Sequence, residues 1–203
     1  MQFFPNVKFY KSFLNVNQIQ EGKIPPIPAV GIVGRSNSGK SSLINALCNQ
    51  KKLALTSATP GKTRTINYFY VPSNKSHYKE FFLVDLPGYG FAQLSKAENE
   101  QLHYVIDQYI ANAPFLKMIL LIMDSRRKLE KEEYSILNYC LDHDKDILLI
   151  RSKWDKLKQT ERDQLLKEWK NEPILFERTI PVSSLKKIHI DVLVKRIIES
   201  INQ

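Results

Sequence analysis

The sequence predicts an α/β chain with a largely parallel six-stranded sheet, one antiparallel edge strand, and helices on both faces. Three observations carry this. Short β-branched, apolar stretches alternate with helical patterns, which is the signature of strands joined by covering helices. Two strand-like stretches, "TINYFYV" and "EFFLVDL", flank the polar, turn-rich "PSNKSHYK" and read as a hairpin. The run "FLKMILLIM" is about half a membrane span and carries Lys117, so it reads as a buried strand.

In chain order, "PAVGIVG" is the first core strand. It runs through a small, polar loop into "KSSLINALCNQ", where Leu43, Ile44 and Leu47 share one helical face. The hairpin follows, then a helix over "SKAENEQLHYVIDQYIANA" and the strand "FLKMILLIMD". A helix over "EKEEYSILNYCLDH" leads to the strand "DILLIR". The last third supplies the helix "TERDQLLKEWKN", the short strand "RTIPVS" and the closing helix "IDVLVKRIIESIN". "EGKIPPIPA" is the one Pro-rich stretch. It separates an N-terminal extension, 1–24, from the domain expected over 25–203. No internal repeat or low-complexity segment interrupts the pattern.

At 203 residues, with 43% hydrophobic and 25% charged side chains, the chain has the profile of one globular domain rather than a disordered segment. The start, "MQFFPNVKFYKS", lacks the basic flank and continuous apolar core of a secretory signal. Cys48 and Cys140 are the only cysteines and are expected as buried thiols. A cytoplasmic protein, monomeric and without membrane insertion, is expected. The formal net charge is +9. Residues 1–100 carry twelve basic against five acidic side chains, and residues 101–203 carry eighteen against sixteen. The excess lies in the half that holds the polar loop, and RNA is a partner that such a charge suits, beside the reading of a generally solvated basic surface.

That loop, Gly34-Arg35-Ser36-Asn37-Ser38-Gly39-Lys40-Ser41, fits G-x-x-x-x-G-K-[ST]. Glycines let successive N–H groups turn inward around phosphate oxygens, and the following helix adds its positive end. Lys40 supplies charge to the outer phosphates, and the Ser41 hydroxyl is suited to Mg²⁺. The pattern predicts a nucleoside triphosphate without choosing its base.

Three further stretches choose it. "DLPG", Asp85-Leu86-Pro87-Gly88, ends a strand; its carboxylate suits Mg²⁺ through water, and the Gly88 N–H suits the terminal phosphate. "SKWD", Ser152-Lys153-Trp154-Asp155, follows another strand. Asp155 can accept from both the ring N–H and the exocyclic amine of guanine, a donor pair that adenine lacks. Leaving such an acid unpaired discriminates by ~10⁴ or more. The Lys153 stem suits the base plane, and "PVSS" places Val182, Ser183 and Ser184 where a backbone N–H can meet the guanine oxygen. All four stretches sit at strand ends, where open α/β sheets bind nucleotides. Between them, "TSATPGKTRTINYF" suits a mobile loop in which Thr63 completes the metal shell, with Thr59 and Thr65 as rivals.

Together "GRSNSGKSSLINAL", "TPGKTRTINYFYV", "VDLPGYGFA", "SKWDKL" and "PVSSLKK" resemble the EngB (YihA/YsxC) family of GTP-binding proteins, in the Era-like branch of the translation-factor-related P-loop GTPases, over roughly residues 25 to 200. The resemblance implies a Ras-like fold, Mg²⁺-dependent GTP binding with hydrolysis to GDP, a role in assembling the large (50S) ribosomal subunit on rRNA and ribosomal proteins, and a need for the protein in cell division and septation. Carried over by motif, it implies a phosphate loop from Gly34 to Ser41, a first switch at Gly61, Lys62, Thr63, Arg64 and Thr65, and a second switch from Asp85 to Gly88. Ser152 to Asp155 would be the base reader, Val182 to Ser184 the last base contact, and Ser41 and Thr63 the metal ligands. Two positions depart from the pattern. Ser152 stands where Thr or Asn is usual, and Ser38 where a small apolar residue is frequent.

Phosphoryl transfer to water is mostly positioning and charge neutralisation, here by Lys40, Thr63 with the metal, and the Gly88 N–H. Ras-type enzymes place a Gln after "DxxG"; Tyr89 stands there and cannot orient water in the same way. Spacing assigns no arginine finger, with Arg64 the candidate. A slow intrinsic turnover is therefore expected. Asn37 either caps the turn or helps hold a K⁺ beside the phosphates. Two other functions are open at this stage: a regulatory GTPase acting directly on a division or membrane-associated protein, and a P-loop small-molecule kinase.

Overall fold

The computed structural model describes residues 3–21, 24–54, 65–74, 77–90 and 94–203. Its elements are β1 (Lys8–Phe13), α1 (Val16–Glu21), β2 (Ala29–Gly34), α2 (Lys40–Leu47), β3 (Ile66–Val71), β4 (Phe81–Asp85) and α3 (Lys96–Asn112). They continue with β5 (Leu116–Asp124), α4 (Lys131–Asp142), β6 (Asp146–Ser152), α5 (Gln159–Lys170), α6 (Pro173–Arg178), β7 (Thr179–Pro181) and α7 (Ile190–Asn202). Each of the six expected strands and five expected helices is present within a few residues of its expected bounds.

The strands form one sheet in the order β1-β3-β4-β2-β5-β6-β7. Pairing is parallel from β4 through β2, β5 and β6 to β7. It is antiparallel between β3 and β4, and between β1 and β3. The sheet thus has seven strands rather than six, and the reversed strand β3 is not the edge. The additional strand comes from the N-terminal stretch read as an extension. It escapes a sequence reading because five of its six residues are exposed, which erases the in–out alternation. A register shift between Phe9 and Lys11 bends it further from the regular pattern. The six-residue helices α1 and α6 were also not expected.

Alternation along the central strands separates two cores. Val30 and Ile32 of β2, with Met118, Leu120 and Ile122 of β5, face α2 and α7. Ala29 and Val33, with Ile119, Leu121 and Met123, face α1, α3 and α4. Burial on both faces is why these strands read as unbroken apolar runs. Gly31 is required by closeness: a Cβ there would lie 2.5 Å from Ile119 Cδ1, under α3. Cys48 belongs to the first core and Cys140 to the second, both as free thiols. Burial pushes each thiol up to about 12. Helix α3 opens with a capping box, Ser95 and Glu98 exchanging hydrogen bonds with each other's N–H at 3.2 and 3.0 Å.

The N-terminal segment also closes the base of α2. The Phe4 N–H donates to the Leu47 carbonyl at 3.1 Å, and Gln50 Nε2 donates to the Val7 carbonyl at 2.7 Å. The Phe4 ring is fully buried, edge-on to Tyr78 and Phe81 at 5.4 and 5.1 Å between centroids. Removing it leaves a cavity between the hairpin and α2. Phe4→Ala is expected to destabilise the fold by about 3–5 kcal/mol, read as a lower midpoint of urea unfolding with an unchanged slope.

Candidate nucleotide site

Five loops meet at the carboxyl ends of the parallel strands. Gly34 ends β2, and a Cβ on it would lie 2.4 Å from the Ile122 carbonyl oxygen and 2.8 Å from Ser38 Oγ. Asn37 (φ 59°) and Gly39 (φ 97°) are left-handed, and Gly39 is the N-cap of α2. These turns wrap residues 34–39 into a cradle that ends on a helix N-terminus, with Lys40 and Ser41 in the first turn. The Lys40 ammonium forms an ion pair with Asp85 at the end of β4, both side chains largely buried. The Ser38 hydroxyl is buried and has no hydrogen-bond partner among the described residues.

The segment after β4 is stitched to this cradle. Leu86 N donates to the Ile32 carbonyl at 3.0 Å, and Tyr89 N to the Gly34 carbonyl at 3.3 Å. Ser36 N donates in return to the Tyr89 carbonyl at 2.8 Å. Asp85, Leu86, Pro87 and Gly88 are all buried. The Tyr89 ring is fully buried and turned toward α4, its hydroxyl donating to Glu133 Oε1 at 2.9 Å.

The turn after β6 reaches the same cradle from the other side. Ser152 Oγ donates to the Ser38 carbonyl and lies 3.0 Å from the Met123 carbonyl. Lys153 (φ 55°) donates from Nζ to the Asn37 carbonyl at 2.7 Å and lies 3.0 Å from Asp124 Oδ2. Serine at 152 therefore does reach the phosphate loop. Burial would raise the Asp124 carboxyl, but hydrogen bonds from Arg126 and Lys153 outweigh it and hold the group well below the usual carboxylate range. Trp154 is buried against Trp169, and its N–H donates to the Val182 carbonyl at 3.1 Å. Asp155 Oδ1 accepts from the Ser183 hydroxyl, whose oxygen accepts from Lys186 N at 3.0 Å. One carboxylate oxygen is thus oriented by the last strand-end turn, where Ser184 is half-buried.

The structure thus brings together Gly34 to Ser41, Asp85 to Gly88, Ser152 to Asp155, and Val182 to Ser184. Thr65 stands just before β3, its Oγ1 3.1 Å from Asn67 Oδ1. Thr59, Gly61, Lys62, Thr63 and Arg64 lie outside the described residues. The backbone cradle fits a polyphosphate, and the oxygen donors of Ser41 and Asp85 fit a hard divalent cation such as Mg²⁺.

Arg151 and Glu133 were not anticipated, and Arg35, expected in the phosphate loop, directs its side chain elsewhere. Arg35 points away from the cradle to Glu130, Glu132 and Glu133 at 2.9, 3.1 and 3.2 Å. Arg151 is buried beneath the Ser152–Asp155 turn, donating to the Ser125 and Arg127 carbonyls at 3.0 and 2.8 Å, with its guanidinium 5.5 Å from the Trp169 ring centre. Burial lowers its pKa to about 10, which leaves it charged at neutral pH. The only sequence signal for Glu133 is its place three residues after Glu130 at a helix start.

The family described as 50S ribosome-binding GTPase matches residues 29–153. A probable GTP-binding protein EngB from Lactobacillus helveticus is 34% identical over 93% of this chain and 95% of its own. Those of Maridesulfovibrio salexigens and Mycoplasmopsis pulmonis are 38% and 44% identical, over 86% and 80% of this chain and 82% and 83% of theirs. Among solved structures, a probable GTP-binding protein engB superposes with a TM-score of 0.66 at 24% identity, over 86% of this chain and 98% of that one. Aquifex aeolicus Era bound to GDP and AlF4⁻ gives 0.69 at 25% identity, over 88% of this chain and 58% of that one. With relatives above 30% identity along most of its length and a family model that matches more than half of it, the chain belongs to the EngB family of GTP-binding GTPases.

Proposed function

We propose that this GTPase is a Mg²⁺-dependent switch with a slow intrinsic rate, acting as a monomer in assembly of the large ribosomal subunit and needed for normal division and septation. The observation that carries the nucleotide part is the fastening of the base-reading turn to the phosphate loop, with Asp155 oriented by Ser183. With the Lys40–Asp85 ion pair opened, Lys40 would neutralise the outer phosphates, and Ser41, Thr63 and Asp85 would hold the metal. Bound Mg²⁺ supplies charge for the β- and γ-oxygens. The Gly88 N–H meets the terminal phosphate. Slow turnover follows from Tyr89, whose side chain is packed against α4 and so cannot orient water.

The ribosomal part is supported by the description of the matching family and by the basic N-terminal half. Among the described residues no helix is long and apolar enough to cross a membrane. We favour action on rRNA over direct action on a membrane-associated division protein because of the family description and the basic N-terminal half, and we propose a cytoplasmic location.

Lys40→Ala is expected to weaken GTP binding by ~100-fold or more, equivalent to about 3 kcal/mol. Asp155→Asn should lose a similar factor for GTP and gain affinity for XTP, because the amide donates to the additional carbonyl of xanthine. Titration of each variant with both nucleotides checks this; unchanged GTP affinity in either refutes the assigned site.

Hydrolysis is expected to run faster in KCl than in NaCl if Asn37 helps hold a K⁺ beside the phosphates. Equal single-turnover rates in the two salts would leave Asn37 as a turn residue only.

Co-sedimentation with 50S particles should be stronger with a GTP analogue than with GDP and should fall steeply as salt rises. Binding that ignores both nucleotide and salt would count against the ribosomal reading.

A further inference from the structure

Tyr89 belongs to two neighbourhoods at once. Its main chain exchanges hydrogen bonds with Gly34 and Ser36 of the phosphate loop, and its buried hydroxyl is bonded to Glu133 on α4. Glu133 is 2% exposed and uses both oxygens. Oε1 accepts from Tyr89 and, at 3.2 Å, from Arg35 Nε; Oε2 accepts from the Glu130 N–H at 2.9 Å, closing the start of the helix. The Arg35 guanidinium lies 5.9 Å from the Tyr89 ring centre and runs outward to Glu130 and Glu132. The next residue, Gly90, is left-handed (φ 68°), and a Cβ there would lie 2.9 Å from Arg35 Cγ. The backbone leaving Tyr89 therefore rests directly on the Arg35 stem.

An exposed tyrosine in a turn would leave the preceding Asp85–Gly88 segment held by its main chain alone. Here the ring is held by Glu133, by Arg35 and by the His103 ring, whose centre is 5.1 Å away, and one carboxylate sets both the ring and the arginine beneath it. Burial raises the Tyr89 hydroxyl far above its ordinary range, and the nearby Glu133 charge adds to this, so it remains a donor across the physiological range.

We propose that Glu133, on helix α4, is a positioning residue for GTP: through Tyr89 and Arg35 it fixes the seating of Gly88 over the phosphate loop and ties helix α4 to that seating. The inference rests on the reading of Gly88 as a γ-phosphate contact. GDP has no γ-phosphate, so loss of the clamp must separate the two nucleotides. A purely structural role for the same residues would affect both alike.

The test uses the full chain with Tyr89→Phe, which removes one hydroxyl, and Glu133→Gln, which removes the charge. Affinities for fluorescent GDP and fluorescent GppNHp, the single-turnover hydrolysis rate and Tm are measured for each. The expected result is a loss of about tenfold in GppNHp affinity and in hydrolysis rate, as for a buried hydrogen bond to a charged group, with GDP affinity within about twofold. The double variant should be little worse than either single one, since the two residues act through each other. Equal weakening of both nucleotides together with a lowered Tm would overturn the proposal in favour of a scaffold role. Unchanged GppNHp binding and hydrolysis in Tyr89→Phe would overturn it as well, even if Glu133→Gln fails to fold. A Gly88→Ala variant that keeps the native affinity for GppNHp would instead remove the γ-phosphate reading beneath it, a result distinct from any outcome at Tyr89 or Glu133.

Discussion

Two side chains of one turn hold the site together. Ser152 and Lys153 each reach a carbonyl of the phosphate loop, at Ser38 and Asn37. On the proposed reading Asp155 grips the base and residues 34–41 the phosphates of one guanine nucleotide, so the distance between the two must be fixed. The turn after β6 does this with one short and one long side chain, both reaching the loop after β2. Everything near it serves that spacing. Asp124 holds the Lys153 ammonium, Arg151 props the β5–α4 connection from below, and Ser125 bonds the Ser152 carbonyl through both its N–H and its hydroxyl.

The sheet makes those links short. Because β2, β4, β5, β6 and β7 run in one direction, their final residues are neighbours although they span nearly 150 positions of sequence. The ends are fixed by apolar packing on both faces, not by the loops themselves. The Ile119 and Tyr109 side chains that crowd Gly31 show how little room remains between strand and cover. A pocket made from five strand ends inherits the stiffness of the core beneath it.

The strands and loops of that edge were legible because their chemistry is local. A glycine-rich turn needs its glycines in order, and a doubly covered strand needs an apolar residue at every position. What could not be read was long-range or solvent-facing. Strand β1 has the composition of a surface segment, since its ladder to β3 uses backbone groups that any side chain supplies. Helix α6 is too short to show a period. Arg35 lies in the phosphate loop, yet its guanidinium binds carboxylates about a hundred positions away. Glu133 sits in an acidic helix start, "EKEE", where nothing marks one carboxylate as buried. Even the position of Tyr89 was informative only in the negative, as the absence of a glutamine. Its actual partner belongs to a different helix.

The cysteines carry a separate consequence. Cys48 lies under the α2–α7 layer and Cys140 under the α3–α4 layer, with the whole sheet between them. They cannot meet while the sheet exists, so an oxidant cannot staple the folded chain to itself. Each thiol becomes reactive only when its own layer lifts. The alkylation rates of the two sulfurs are therefore independent clocks, one for breathing on the side that carries the phosphate-loop helix and one for breathing on the other.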